Sequence, residues 1–167
     1  MPRTYIGLGA NLGHPPGQLN AALTHIAARP RVRLVAQSSF YRSAPLGPAG
    51  QPDYCNAACS VDTDLTPDDL LTALHAIERD MGRQRPPVRW APRLIDLDLL
   101  HVEGVSLRTA RLTLPHPELA RRNFVLVPLA EIAPTLVLPG LGKVKDLARD
   151  IGSAGLQRWT DTPLDAT

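Results

Sequence analysis

Apolar and polar positions alternate along this chain with two different periods, and their order predicts the elements. Thr4 to Ala10 (Thr-Tyr-Ile-Gly-Leu-Gly-Ala) reads as a short strand ending at the turn signal Asn11-Leu12-Gly13. Pro15-Pro16 then precede a segment in which Leu19, Leu23, Ile26 and Ala27 share a helical face, and Pro30 ends it. Val32 to Tyr41 predicts a second, continuous strand. Tyr54 to Val61 predicts a third, paired with the second as a wide hairpin across the Pro/Gly-rich loop Arg42 to Asp53.

The second helix is the best marked. Thr66 suits the N-cap, Pro67 the first helical position, and Asp69 completes a capping-box pattern. Leu70, Leu71, Leu74, Ile77 and Met81 form its apolar stripe, and Gly82 closes it with a left-handed cap. Gly82 to Pro92 is a polar, Arg- and Pro-rich loop, followed by a strand from Leu94 to Val102. Val105 to Leu107 and Leu112 to Leu114 suit short edge strands, Phe124 to Ile132 a short buried helix, and Lys143 to Ile151 a weaker one. The order strand-helix-strand-strand-helix-strand predicts an α+β fold: a ferredoxin-like βαββαβ core, antiparallel, with helices on one face and additional C-terminal elements over the remaining surface. One catalytic domain is expected over residues 1–160, with a loose tail at 161–167.

Composition narrows the class. At 167 residues, 44% hydrophobic and 20% charged, the chain suits one soluble globular domain. No apolar run approaches the ~20 residues of a membrane span, and no secretory leader is apparent, so a cytoplasmic location is expected. The net charge of +2 is too mild to imply nucleic acid by itself. Cys55 and Cys59 form no Cys-x-x-Cys, and small buried thiols are the expected reading.

The sharpest chemical signal is Asp96 and Asp98, in Arg93-Leu94-Ile95-Asp96-Leu97-Asp98-Leu99-Leu100. Strand alternation projects both carboxylates from one face, their Cα atoms about 6–7 Å apart, and turns Ile95, Leu97 and Leu99 to the core. Taken alone, D-x-D more often marks a solvated strand face. Here Arg83, Arg85, Arg89 and Arg93 lie immediately upstream. Carboxylates, a hard cation such as magnesium and guanidinium groups together describe a polyphosphate site. No G-x-x-x-x-G-K-[ST] occurs, and Gly7, Gly9 and Gly13 do not match the dinucleotide fingerprint; for Gly7, tight packing is the better reading.

Tyr54 and Phe124 are aromatics beside polar loops, and Asn56 shares a strand face with Tyr54. An amide beside an aromatic suits a flat heterocycle, although such aromatics more often close a core. His116, between Pro115 and Pro117, reads as exposed and held in place, either a surface loop residue or a phosphate contact. His14, His25, His75 and His101 show no metal-ligand spacing, and no Ser-His-Asp or Cys-His arrangement stands out.

Several runs together closely resemble the 6-hydroxymethyl-7,8-dihydropterin pyrophosphokinases of folate biosynthesis. They are Phe40-Tyr41-Arg42-Ser43-Ala44-Pro45-Leu46-Gly47-Pro48, Gln51-Pro52-Asp53-Tyr54-Cys55-Asn56-Ala57-Ala58, Arg89-Trp90-Ala91-Pro92-Arg93-Leu94-Ile95-Asp96-Leu97-Asp98, Leu114-Pro115-His116-Pro117 and Glu131-Ile132-Ala133-Pro134. The resemblance runs in order from about Tyr5 to Pro139 and fades after Gly140. It implies transfer of the β,γ-pyrophosphoryl group of ATP to the pterin hydroxymethyl oxygen, with release of AMP, by a monomer that binds neither nucleic acid nor membrane. It implies that Asp96 and Asp98 hold two Mg²⁺ ions and that Arg83 and Arg93 contact the ATP phosphates, Arg93 near the transferred group. Arg85, Arg122 and His116 would also meet the triphosphate. His75, Glu78, Leu99, Arg111 and Thr113 would lie on the ATP side, and Trp90 in a loop that closes over the substrates. The pterin would stack between Tyr54 and Phe124 and hydrogen-bond Asn56, helped by Ser43, Ala44 and Leu46. Ala91 stands for a common Gly, Pro117 for a common Tyr and His75 for a common amide; none of these departures removes a metal ligand.

Two other classes use the same residues. A nucleic-acid-binding module would employ the Arg83 to Arg93 stretch, but the two acids on the strand face repel a phosphate backbone. A metal-dependent phosphohydrolase would cleave ATP without any acceptor.

Overall fold

The computed structural model describes residues 1–44, 50–82 and 95–160. The elements run β1 (Arg3–Ala10), α1 (Pro15–Ala27), β2 (Val32–Gln37), β3 (Tyr41–Ser43), β4 (Tyr54–Thr63), α2 (Pro67–Asp80), β5 (Asp96–Val102), β6 (Leu107–Arg108), β7 (Thr113–Leu114), a 3-10 turn (Leu119–Arg121), α3 (Asn123–Ile132), β8 (Val137–Leu138), β9 (Gly142–Lys143), α4 (Val144–Ile151) and β10 (Leu156–Arg158). The main sheet is antiparallel, in the order β10-β3-β4-β1-β5, with β2 also paired to β4. This is the expected ferredoxin-like core with one added strand.

Alternation along β1, β4 and β5 sorts the side chains onto two faces. Ile6, Leu8 and Ala10 of β1, Cys55, Ala57, Cys59 and Val61 of β4, and Leu97 and Leu99 of β5 pack against Leu19, Leu23 and Ile26 of α1 and Leu70, Leu74 and Ile77 of α2. The opposite face is covered over only part of its length. There Tyr5, Ala58 and Leu100 meet Leu119, Leu126, Leu129, Leu138 and Val144. Helices therefore lie on both faces: α3 and α4 cover the one that the βαββαβ core leaves open. Both cysteines are buried and free, and burial pushes each thiol up to about 12.

Local chemistry explains the helix ends. Thr66 accepts from the Asp69 N–H at 3.1 Å as N-cap of α2, and Gly82 follows the C-cap at φ +93°. Pro15 and Pro16 form the first turn of α1 instead of preceding it, because His14 serves as N-cap, its Nδ1 accepting from Gly17 N–H at 3.2 Å.

The second strand is not continuous. Ser38 exchanges hydrogen bonds with Ala58, through its N–H to the Ala58 carbonyl and through its Oγ from the Ala58 N–H. The Glu131 carboxylate then takes the Ser39 N–H at 2.9 Å and the Tyr41 hydroxyl at 2.6 Å. These bonds satisfy the chain where it leaves the ladder, so β2 and β3 pair with β4 separately. The two short segments read as edge strands pair with each other, as β6 and β7, away from the main sheet. The expected tail at 161–167 lies outside the described residues, and the strand before it, β10, was not predicted.

Candidate active site

The uncovered part of the second face is floored by glycine. Gly9 of β1 stands opposite Asn56 on β4 and Asp96 on β5, and Gly7 stands opposite Ala58 and Asp98. Three adjacent strands thus carry an amide, a glycine and a carboxylate in one row. Any Cβ at position 9 would lie 3.4 Å from Asn56 Oδ1 and 4.0 Å from Tyr54 Cδ1, and one at position 7 would lie 3.3 Å from Leu100 Cδ2. The packing reading of Gly7 holds, and glycine at both positions leaves a hollow above the sheet.

That hollow is a cavity of about 300 Å³. Ser43, Ala44, Tyr54, Asn56, Phe124, Arg122, Asp96 and Asp98 all line it. Asn56 is buried and its Nδ2 donates to Ser43 Oγ at 2.8 Å, which turns Oδ1 toward Gly9. The Arg122 guanidinium carbon stands 5.8 Å from the Phe124 ring centroid. The cavity so joins an aromatic, an oriented amide, a cation and two carboxylates.

A second cavity, also about 300 Å³, opens beside β5. His75, Leu99, Arg111, Thr113 and His116 line it, and so does Asp98. Of these two cavities, Asp98 lines both and Asp96 lines the first. Arg111 is exposed, and its guanidinium donates to Thr72 Oγ1 on α2.

His116 is half-buried, deeper than its place between prolines suggests. Its backbone N–H bonds the Leu100 carbonyl at 2.8 Å, and its Nδ1 accepts from the Glu118 N–H at 3.1 Å. Burial first, then the Arg122 charge, hold its pKa below the usual imidazole value, against weaker pulls from Glu118 and Asp96. The neutral ring carries its proton on Nε2, and so presents one donor.

Glu78 lies on α2, beside β5. It is 1% exposed and lines neither cavity; its carboxylate accepts from the Leu97 N–H at 2.9 Å. It braces the peptide between the two aspartates from the core side. Leu99 packs in the core and also lines the second cavity. Leu46, Arg83, Arg85, Trp90 and Arg93 lie outside the described residues.

Among the described residues no cluster of three or more His, Cys, Asp or Glu suited to a metal occurs. Two carboxylates alternating on one strand face nonetheless fit a hard cation that keeps most of its shell as water and phosphate oxygen. Among the described residues, no helix is long and apolar enough to cross a membrane.

Gly9, Leu100 and Val125 also line the first cavity. The signal for Gly9 was present: it shares a strand face with Gly7, and antiparallel pairing sets both beside the aspartates.

The family model described as 7,8-dihydro-6-hydroxymethylpterin-pyrophosphokinase (HPPK) matches residues 5–134. The 2-amino-4-hydroxy-6-hydroxymethyldihydropteridine pyrophosphokinase of Methylorubrum extorquens is 45% identical over 158 residues, 95% of this chain and 99% of that protein. The Haemophilus influenzae protein of the same name is 46% identical over 149 residues, 89% of this chain and 92% of that one. Among solved structures, Plasmodium falciparum HPPK-DHPS with pteroate matches with a TM-score of 0.71 at 12% identity, over 89% of this chain. That likeness is one of fold, and this chain spans 42% of that longer polypeptide. Matched over most of its length by the family and by relatives of nearly full coverage, the chain belongs to the 7,8-dihydro-6-hydroxymethylpterin-pyrophosphokinase family.

Proposed function

We propose that the two cavities hold the two substrates of the family's reaction and that Asp98 stands where they meet. The chain is a pyrophosphokinase of folate biosynthesis: it transfers a pyrophosphoryl group to the hydroxymethyl group of 6-hydroxymethyl-7,8-dihydropterin. ATP is the donor, and removal of its β,γ-pyrophosphoryl group leaves AMP. The observation that carries the division of the site is that Asp98 lines both cavities.

The cavity floored by Gly7 and Gly9 takes the pterin. Tyr54 and Phe124 offer aromatic surface, and Asn56, oriented by Ser43, addresses the polar edge of the heterocycle. ATP lies along the second cavity, where His75, Leu99, Arg111 and Thr113 face it. His116 donates from Nε2 to a phosphate oxygen, and Arg122, at the pterin side, offsets phosphate charge. Arg83, Arg85 and Arg93 would meet the triphosphate, and Leu46 and Trp90 would close on the substrates, as the family resemblance implies. Glu78 acts on the aspartates through the backbone. Residues 1–160 act as one catalytic domain, a reading supported by the single sheet that joins β1 to β10.

Asp96 and Asp98 would hold two Mg²⁺ ions, which when bound neutralise the phosphate oxygens and draw charge from the reacting phosphorus. The chain's own work is positioning. The pterin oxygen must attack the β-phosphorus in line while AMP departs from the far side, and the hydroxymethyl proton leaves with it to solvent or phosphate. No side chain needs a strongly shifted pKa for this; orientation and exclusion of water carry the rate.

Separable binding tests the division. Phe124→Ala should weaken the pterin by about tenfold or more, with loss of stacking area, and leave nucleotide affinity within about twofold. Arg111→Ala should do the reverse. An Arg111→Ala variant that loses the pterin and keeps the nucleotide would reverse the assignment of the cavities.

A further inference from the structure

β3 is three residues long and carries one wall of the pterin cavity, yet it lies inside the sheet. On one side Tyr41, Arg42 and Ser43 pair with Asn56, Cys55 and Tyr54 of β4. On the other, the same residues pair with Arg158, Gln157 and Leu156 of β10. Deprived of β10, this strand would be a short edge held by one partner.

Side chains of β3 reach diagonally to β4 on one face and to Asp53, the residue before β4, on the other. On the cavity face Asn56 Nδ2 bonds Ser43 Oγ at 2.8 Å. On the opposite face Arg42 Nη1 bonds the Asp53 carboxylate at 3.4 Å. Arg42 is 6% exposed, so its charge depends on protein partners. Its guanidinium lies 3.7 Å from the centroid of the Trp159 ring, and Nη2 donates to the Thr160 carbonyl. Its Nε meets no acceptor among the described residues. Trp159 is itself fixed by its backbone N–H, which donates to the Phe40 carbonyl at 2.8 Å, and it packs against the core. The contacts thus run from the C-terminal strand through Arg42 to Ser43 and Asp53, the neighbours of the cavity wall.

We propose that β10 and Trp159 form a positioning element for the acceptor substrate: by seating Arg42 they hold Ser43 and Tyr54 in the register at which Asn56 faces the pterin edge. This rests on the reading of the glycine-floored cavity as the acceptor site. Trp159 touches no substrate; it acts through Arg42. A ladder that slips or frays at β3 costs acceptor affinity while the nucleotide cavity, built on β5, β7 and α2, is unaffected.

The test measures two affinities in the full chain: that of 6-hydroxymethyl-7,8-dihydropterin with a non-hydrolysable ATP analogue and Mg²⁺ at saturation, and that of the analogue alone. Trp159→Ala should weaken the pterin about tenfold, the loss of one buried cation–π contact, and leave the analogue within about twofold. Trp159→Phe keeps an aromatic face and should stay within about threefold of the parent for both. Asp53→Asn removes the charge that pairs with Arg42 at little steric cost and should also weaken the pterin selectively. It decides the matter should Trp159→Ala not fold. Parallel loss of both affinities, or a Trp159→Phe as weak as Trp159→Ala, would overturn the proposal in favour of a general stabilising role. A parent that binds the pterin while Trp159→Ala and Asp53→Asn bind it equally well would overturn it and leave the acceptor site standing. A parent that does not bind the pterin would remove the acceptor site and this inference with it.

Discussion

The carboxylate of Glu78 and the backbone N–H of Leu97 meet at 2.9 Å beneath β5, between the residues whose side chains rise from its other face as Asp96 and Asp98. An α2 side chain so fixes the peptide from which both carboxylates spring. Removing it leaves a buried N–H without its acceptor, at a cost of about 1–3 kcal/mol. Glu78→Ala should therefore lower the urea midpoint and reduce turnover together, whereas Glu78→Gln keeps a carbonyl acceptor and most of the stability. A Glu78→Ala variant with an unchanged midpoint would show that this bond does not hold the strand.

Asp96 and Asp98 are half-exposed, and neither belongs to the core that β5 helps to build. Their removal should cost chemistry and not folding. Asp96→Ala and Asp98→Ala should each retain the parent circular dichroism spectrum and melting temperature within a few degrees, and each should lose at least about three orders of magnitude in Mg²⁺-dependent turnover. Asp98→Ala, which affects both cavities, should show the larger fall. Near-normal turnover in either variant would remove that residue from the metal site.

His101 gives stability a defined dependence on pH. It is 1% exposed, its Nδ1 meets no partner among the described residues, and burial lowers its pKa against a weaker pull from Glu103. His116 is lowered as well. An unfolded imidazole takes up its proton near pH 6.5, whereas these two in the folded chain do so only at lower pH. Below about pH 6.5 the unfolded state therefore binds more protons, so stability falls as the pH drops through that window and is level above it. His101→Gln, neutral throughout, should flatten the acid limb of a plot of urea-unfolding free energy against pH. An acid limb of unchanged slope would show that His101 does not contribute to it.

Local signals explain what could be read from the sequence. Helix α2 was legible because Thr66 and Gly82 act within a turn of its ends, and the pairing of Asp96 with Asp98 because strand alternation needs no distant information. The break between β2 and β3 depends on Glu131, 92 residues beyond Ser39, and nothing in Val32 to Tyr41 announces it. Leu156–Arg158 is too short and too polar to show a period; only its pairing with β3 makes it a strand. The resemblance puts Glu78 on the ATP side, while a single acid on a helix does not reveal that its carboxylate also braces the Leu97 N–H. Asn56 and Tyr54 were legible as a pair, while the glycines that make room above them acquire meaning only from the register of three strands.

The proposed meeting of a pterin cavity and an ATP cavity at Asp98 requires transfer of a pyrophosphoryl group, not a phosphoryl group. Its most direct test is AMP release from ATP and Mg²⁺, with and without 6-hydroxymethyl-7,8-dihydropterin. AMP that appears only with the pterin, one for each pterin pyrophosphate formed, is the predicted result. ADP in place of AMP, or ATP cleavage that proceeds equally well without the pterin, would contradict it and point to an ordinary kinase or a phosphohydrolase acting on the same carboxylates.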